Sequence, residues 1–317
     1  MNLAHNLARK GHPVIEAIKR RLGRLKSRPW SKDTNEKIGL VIEGGGMRGI
    51  ISAGVVVGLE RLGLNQAFDE VYAESAGALN ACYFLAGHAS FGARIYFEDI
   101  CNMKFINPIR LTRIVDVDFA VDHVVVNVKP LKVNCVLSSE SDFYVSLTDA
   151  VDGSRMVVNV RKTSTTRLLR ILKATAALPI LYNRAIEIEG RSFVDGGIAD
   201  PIPIKSAIMN GCTHILVIVT RPPEFRARKA RWLEERILRA LLLGWDERLK
   251  QAFLTRHKRY NEARDIASGM IPAEREVNIA VIYPGPIGRK LSRLTKNPEL
   301  SRQAMEESAD LTIEFFR

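Results

Sequence analysis

The 317-residue chain is 46% apolar, carries a formal charge of +12 and contains four cysteines, which is ample for a buried core in one large or two small globular domains. No apolar run approaches the ~20 residues of a membrane helix, and charges interrupt the first 28 residues too often for a signal-peptide core, so the expected address is the cytoplasm, with contact at the inner face of the membrane as a peripheral option. Cys82, Cys101, Cys135 and Cys212 stand too far apart for a zinc site or a disulfide framework, and the positive charge favours an anionic partner, nucleic acid or an acidic membrane surface, without choosing between them.

Residues 1–36 hold a net +6, half of the total, and form a basic N-terminal extension. Val14, Ile15, Ile18, Leu22 and Leu25 recur at three- and four-residue steps, which suits either a basic amphipathic helix on anionic lipid or a helix packed on the body with a solvated basic face. From Lys37 the texture changes. Ile38 to Ile42 reads as a strand buried on both faces of a parallel sheet, followed by Glu43-Gly44-Gly45-Gly46-Met47-Arg48-Gly49 and a helical run to Leu62. Strand, glycine turn and helix make an anion site, because the exposed N–H groups at a helix start can hold a phosphate or a developing oxyanion. The spacing fits neither a dinucleotide fingerprint nor a P-loop.

A second strand over residues 69–72 delivers Ala73-Glu74-Ser75-Ala76-Gly77 and a helix. Small residues around a serine at a strand-to-helix turn allow its hydroxyl to stand above the sheet edge, which makes Ser75 the candidate nucleophile. Two successive βα turns then place a glycine loop and a nucleophile on one edge of a parallel sheet.

Further along, 97–105 reads as helical, 124–128 as a strand, and 143–148 with 156–160 as a strand pair around Asp152-Gly153. A helix over 166–177 precedes Phe193-Val194-Asp195-Gly196-Gly197, where paired glycines let the chain turn tightly and bring a carboxylate near another loop; alone, Asp-Gly is more readily a structural turn. A strand over 214–219, one long amphipathic helical stretch carrying Trp232 to Phe253, a strand over 277–283 and a helix over 298–316 complete the chain.

Gly44-Gly45-Gly46-Met47-Arg48-Gly49, Ser75-Ala76-Gly77 and Asp195-Gly196-Gly197, in that order, resemble the patatin-like phospholipases across about Lys37 to Pro223. The resemblance implies a three-layer α/β/α fold with a mainly parallel central sheet. The domains are then the 1–36 extension, a catalytic domain over 37–223 and a helical C-terminal region over 224–317 that adds one strand. It further implies that Ser75 attacks an acyl ester with Asp195 as its base, while the N–H groups around Gly44, Gly45 and Gly46, with Arg48 nearby, stabilise the oxyanion. A carboxylate within hydrogen-bonding reach can activate a serine without a histidine; His214 and His257 are the triad alternatives. No cofactor is called for, and the histidines show no metal-ligand spacing. Lipid acyl esters are the expected substrates and nucleic acid is not expected. The basic extension and the basic face of the Trp232–Phe253 stretch are the candidate contacts with an anionic membrane.

The departure is Ala73-Glu74, where the family usually has glycine followed by a small or apolar residue, and Glu74 is the larger change. A carboxylate there would oppose the oxyanion, so an active enzyme calls for Glu74 to turn outward to solvent or pair with a cation. The competing reading is a catalytically weakened lipid-binding or regulatory protein of the same fold.

Overall fold

In the computed structural model, residues 11–27, 36–111, 113–161 and 163–317 are described. The elements run α1 (Pro13–Ser27), β1 (Ile38–Ile42), α2 (Gly49–Arg61), β2 (Glu70–Ala73), α3 (Ser75–Leu85), α4 (Ala89–Ala93), α5 (Val133–Leu137), β3 (Asp142–Asp149), β4 (Arg155–Asn159), α6 (Thr165–Ala176), β5 (Ile186–Ile188), β6 (Arg191–Val194), α7 (Ile204–Met209), β7 (His214–Ile218), α8 (Trp232–Leu241), α9 (Glu247–Ala267), β8 (Asn278–Ile282) and α10 (Pro298–Phe315). The strands form one eight-stranded sheet in the order β5-β6-β3-β2-β1-β7-β8, with β4 also paired to β3. From β3 to β8 the path is parallel.

The layers follow from the pleat. Ile38, Leu40 and Ile42 of β1 point to one face and join a core with α1, α2, α3, α6 and α10, whereas Val41, Tyr72, Ile215 and Val217 point to the other, against α7 and α9. This is the expected three-layer α/β/α arrangement, with β1 at its centre and buried throughout. The helical stripe in the extension faces inward: Val14, Ile15, Ala17 and Ile18 are buried, and Arg21 makes a buried ion pair with Asp69 at 3.0 Å. The packed-helix alternative therefore describes α1, and residues 1–10 and 28–35 of the extension lie outside the described residues.

Helices α2 and α10 approach at backbone contact. A Cβ on Gly54 would stand 2.3 Å from the Met305 carbonyl oxygen, which leaves no room for a methyl. Gly54→Ala is expected to lower Tm despite a gain of about 1 kcal/mol in helix propensity; a raised Tm in a thermal melt refutes the close contact.

Three local expectations need correction. Residues 124–128 form no strand but the end of a wide helical segment, Phe119–Val128. Buried Ala120, Val121, Val124 and Val125 set a helical period that a five-residue apolar run is too short to display. The reading of 97–105 as a helix reduces to a short turn at Ile95–Asp99. The Trp232–Phe253 stretch is two helices, because the chain turns after Leu241 and Asp246 caps α9 by accepting a hydrogen bond from the Arg248 N–H at 2.9 Å.

Candidate active site

The C-terminal ends of β1 and β2 lie side by side, Ile42 opposite Ala73, so the two turns that follow them meet. They meet closely enough to require glycine: a Cβ on Gly44 would stand 2.7 Å from the Glu74 carbonyl oxygen and 2.8 Å from Ser75 Cβ, and Gly45 holds φ at 143°. Ser75 opens α3 with φ of 51°, a conformation that costs a non-glycine residue free energy and that here lifts its side chain over the sheet edge.

Asp195 reaches the same edge by another route. β3 overshoots β2 by four residues, Ser146 to Asp149, and β6 runs back antiparallel along that overhang, Val194 opposite Thr148. The strand thus ends over Ser75. The overhang and α6 brace both groups. The Thr148 hydroxyl donates to the Asp195 carbonyl at 2.8 Å, and Thr175 Oγ1 accepts from the Ser75 N–H at 2.8 Å while donating to the Ser146 carbonyl. Asp195 Oδ1 accepts from the Gly197 N–H at 2.8 Å, and the Ser75 hydroxyl lies within hydrogen-bonding reach of the same carboxylate. Burial raises the Asp195 pKa; Arg293, the Gly197 N–H, the Ser75 hydroxyl and Arg256 pull against that rise.

Glu74 does not turn to solvent. It is 4% exposed, and its Oε1 accepts from the Gly44 N–H at 2.6 Å. A Cβ on Gly197 would stand 2.9 Å from Asp195 Oδ1 and 3.0 Å from Glu74 Oε2, so the two carboxylates flank one backbone position. Burial, and then the charge of Asp195, hold the Glu74 pKa well above the ordinary carboxylate range. Asp195 has the Gly197 N–H, the Ser75 hydroxyl and two guanidinium neighbours against the Gly44 N–H and Arg293 for Glu74, so the shared site keeps its charge on Asp195 and its proton on Glu74. The reason Glu74 points inward is the extended backbone at this position (φ −138°, ψ 156°), which sets its side chain on the face opposite the Ala73 side chain, toward the glycine turn.

The four expected oxyanion residues therefore separate. The Gly44 N–H is engaged by Glu74. Gly45 and Gly46 line the pocket above Ser75, and among the described residues their N–H groups have no partner. Arg48 is 3% exposed and its guanidinium lies behind Gly45, facing a neighbouring cavity; burial, with Arg293 close by, depresses its pKa to about 10. Glu43, which the sequence did not single out, fixes the loop by accepting from the Thr220 N–H at 2.6 Å and the Tyr260 hydroxyl at 3.2 Å. Its position directly before three glycines was the available signal.

From Ser75 a pocket runs beneath α3 and α6, walled by Leu79, Ile100, Phe105, Val121, Leu172 and Leu178 among others, an apolar trough with the polar groups gathered at one end. No described histidine lines it; His214 sits at the start of β7 bonded to Thr213, and His257 faces the neighbouring cavity. Among the described residues no cluster of side chains could hold a metal ion.

Residues 40–208 match the family model described as patatin-like phospholipase. An uncharacterized protein of Escherichia coli K12, YjjU, is 30% identical over 218 residues, 65% of this chain; the chain spans 60% of the length of that curated relative. The crystal structure of VipD from Legionella pneumophila aligns with 94% of this chain and 72% of its own at a TM-score of 0.46 and 12% identity.

Proposed function

The chain belongs to the patatin-like phospholipase family, and from that membership we propose that it is a serine acyl hydrolase that cleaves fatty-acyl esters of membrane lipids. The observation that carries this reading is Ser75: strained, at the mouth of an apolar trough, with its hydroxyl in reach of Asp195. Asp195 takes the hydroxyl proton as Ser75 Oγ attacks the ester carbonyl carbon. The carbonyl electrons move onto oxygen, which the Gly45 and Gly46 N–H groups receive. Collapse of that intermediate expels the alcohol with the proton from Asp195, leaving an acyl-serine, and water repeats the sequence in the same geometry to release the fatty acid. A neutral Glu74 adds no charge against the oxyanion.

The direct test is a fluorophosphonate ester, which phosphonylates an activated serine with loss of fluoride. Labelling at Ser75, together with turnover of a short-chain p-nitrophenyl ester, is the expected result. A second reading, a catalytically weakened lipid-binding or regulatory protein, draws on one observation: Glu74 engages a glycine-loop N–H that an oxyanion would otherwise use. Absence of both labelling and turnover selects it.

No helix among the described residues is long and apolar enough to cross a membrane, and in this reading contact with the bilayer is peripheral. Helix α8 supplies the means. Trp232, Leu233, Ile237 and Leu241 are each at least 51% exposed, beside exposed Lys229, Arg231 and Arg236. An apolar ridge flanked by cations suits an anionic lipid surface. The Trp232→Ala, Ile237→Ser double variant is expected to lower partitioning onto phosphatidylglycerol vesicles about tenfold in a sedimentation assay; unchanged partitioning removes α8 from the interface. Deleting residues 1–36 is the poorer experiment, since it also removes the buried side chains of α1.

A further inference from the structure

Beside the acyl pocket lies a second cavity of about 440 Å³ that shares Gly197, Pro201, Tyr260 and Arg293 with it. Besides Arg228, which is paired with Glu234 at the rim, four guanidinium groups from separate parts of the chain line this space: Arg48 after the glycine turn, Arg221 after β7, Arg256 on α9 and Arg293 in the loop before α10. Three of the four lie beyond the stretch that matches the family model.

Arg221 and Arg256 stack on the Phe225 and Phe253 rings, but two of the four guanidiniums keep donors without a partner among the described residues. Arg48 is 3% exposed, yet among the described residues its Nε and Nη1 have no hydrogen-bond partner, and neither does Nη1 of half-buried Arg256. Buried donors left unpaired are costly, and charged ones more so, so native structures rarely keep them empty. The nearby carboxylates are engaged elsewhere. Glu43 holds the Thr220 N–H and the Tyr260 hydroxyl, Glu74 holds the Gly44 N–H, Asp195 faces Ser75 and Gly197, and Glu234 at the rim is paired with Arg228. Burial and the charge of Arg293 together push Arg48 and Arg256 down to about 10 each, a fall that Glu43 beside Arg48 and Asp195 beside Arg256 only partly offset.

The geometry points to an anion subsite, and we infer that this cavity binds a phosphate group. Planar guanidinium forks suit phosphate oxygens, since each offers parallel N–H donors at a fixed spacing. The volume exceeds what a bare phosphate fills and leaves room for a polar headgroup. Placement next to Ser75 puts the phosphate of a glycerophospholipid in this cavity while its acyl ester lies over the nucleophile. Helix α8 contributes Glu234 and Leu238 to the lining, so the element that faces lipid also walls the subsite. This inference rests on the acyl-hydrolase reading only for the lipid source of the phosphate; the same chemistry serves a free phosphate ion.

The test uses the full chain, with Arg256→Gln and, at an exposed position with little packing to lose, Arg293→Gln. Binding of inorganic phosphate is read by calorimetry. Separately, kcat/KM is compared for phosphatidylglycerol and for diacylglycerol with the same acyl chains, alongside p-nitrophenyl butyrate as a probe of the dyad alone. Phosphate binding that each variant weakens about tenfold or more supports the subsite. A preference for phosphatidylglycerol that narrows in both variants through KM assigns it to lipid headgroups; phosphate binding without that preference assigns it to the free ion. If p-nitrophenyl butyrate is hydrolysed but phosphate neither binds nor competes and the two lipids react alike, the subsite is refuted. If the butyrate is not hydrolysed, the acyl-hydrolase reading fails, and calorimetry still decides the phosphate site.

Discussion

Ser75→Ala is expected to abolish fluorophosphonate labelling and to cut ester hydrolysis by about four orders of magnitude or more, to the level that binding and the oxyanion donors give without a nucleophile. The physical reason is that Ser75 is the one serine, threonine or cysteine among the described residues that line the apolar pocket. Asp195→Asn is expected to approach the same floor. An amide has no affinity for the serine proton, and its NH₂ cannot accept from the Gly197 N–H as Oδ1 does at 2.8 Å. The double variant should be no worse than the worse single one, because base and nucleophile act in one step and their losses do not add. Additive losses would mean that Ser75 and Asp195 work separately, and the dyad would be wrong. Thermal melts of both variants separate a lost step from a lost fold.

The second expectation concerns pH. Both carboxyls are buried and both have raised pKa values, Glu74 more strongly. Asp195 must be ionised to accept the serine proton, so kcat/KM rises as pH passes upward through its folded pKa. Glu74 must stay protonated, so activity falls when pH passes upward through the higher pKa of Glu74. The working range is the interval between them, and the two limbs belong to the pair as a coupled titration. An ionised Glu74 at ~6 Å from the oxyanion, at an effective dielectric of ~20, opposes it by roughly 3 kcal/mol, about a hundredfold in rate. Glu74→Gln keeps the shape, keeps an acceptor for the Gly44 N–H and cannot ionise. It is therefore expected to remove the alkaline limb and to raise activity up to about a hundredfold on that side, with little change near the optimum. An alkaline limb that persists in Glu74→Gln assigns the loss to another group.

These outcomes depend on residues of unequal legibility. The central strand was readable because Ile38 to Ile42 is apolar without alternation, which only a strand covered on both faces tolerates. The glycine turn and the serine elbow were readable because runs of small residues at a strand-to-helix turn are local: a backbone at φ 143° favours glycine, although the 2.7 Å approach of Gly44 to Glu74 is set by the neighbouring strand. Residues 119–128 misled because a valine run suits a strand and a buried helix alike, and the neighbours that set the period lie outside the run. The amphipathic pattern of α1 identified a helix but not its partner, since lipid and the face of a sheet both accept an apolar stripe.

By itself the sequence determined the α/β class, the order of glycine loop, serine and aspartate, and the family, all of which rest on short stretches of backbone with strict steric requirements. The tertiary structure alone decided how those stretches work together. The overhang of β3 carries Asp195 back to Ser75 from 120 residues away. Packing at the sheet edge turns Glu74 into the site instead of out of it, and sheet order brings Arg48, Arg221, Arg256 and Arg293 around one cavity. Side-chain direction and charge convergence arise from contacts between distant segments, and such contacts leave no periodicity or motif in the chain that makes them.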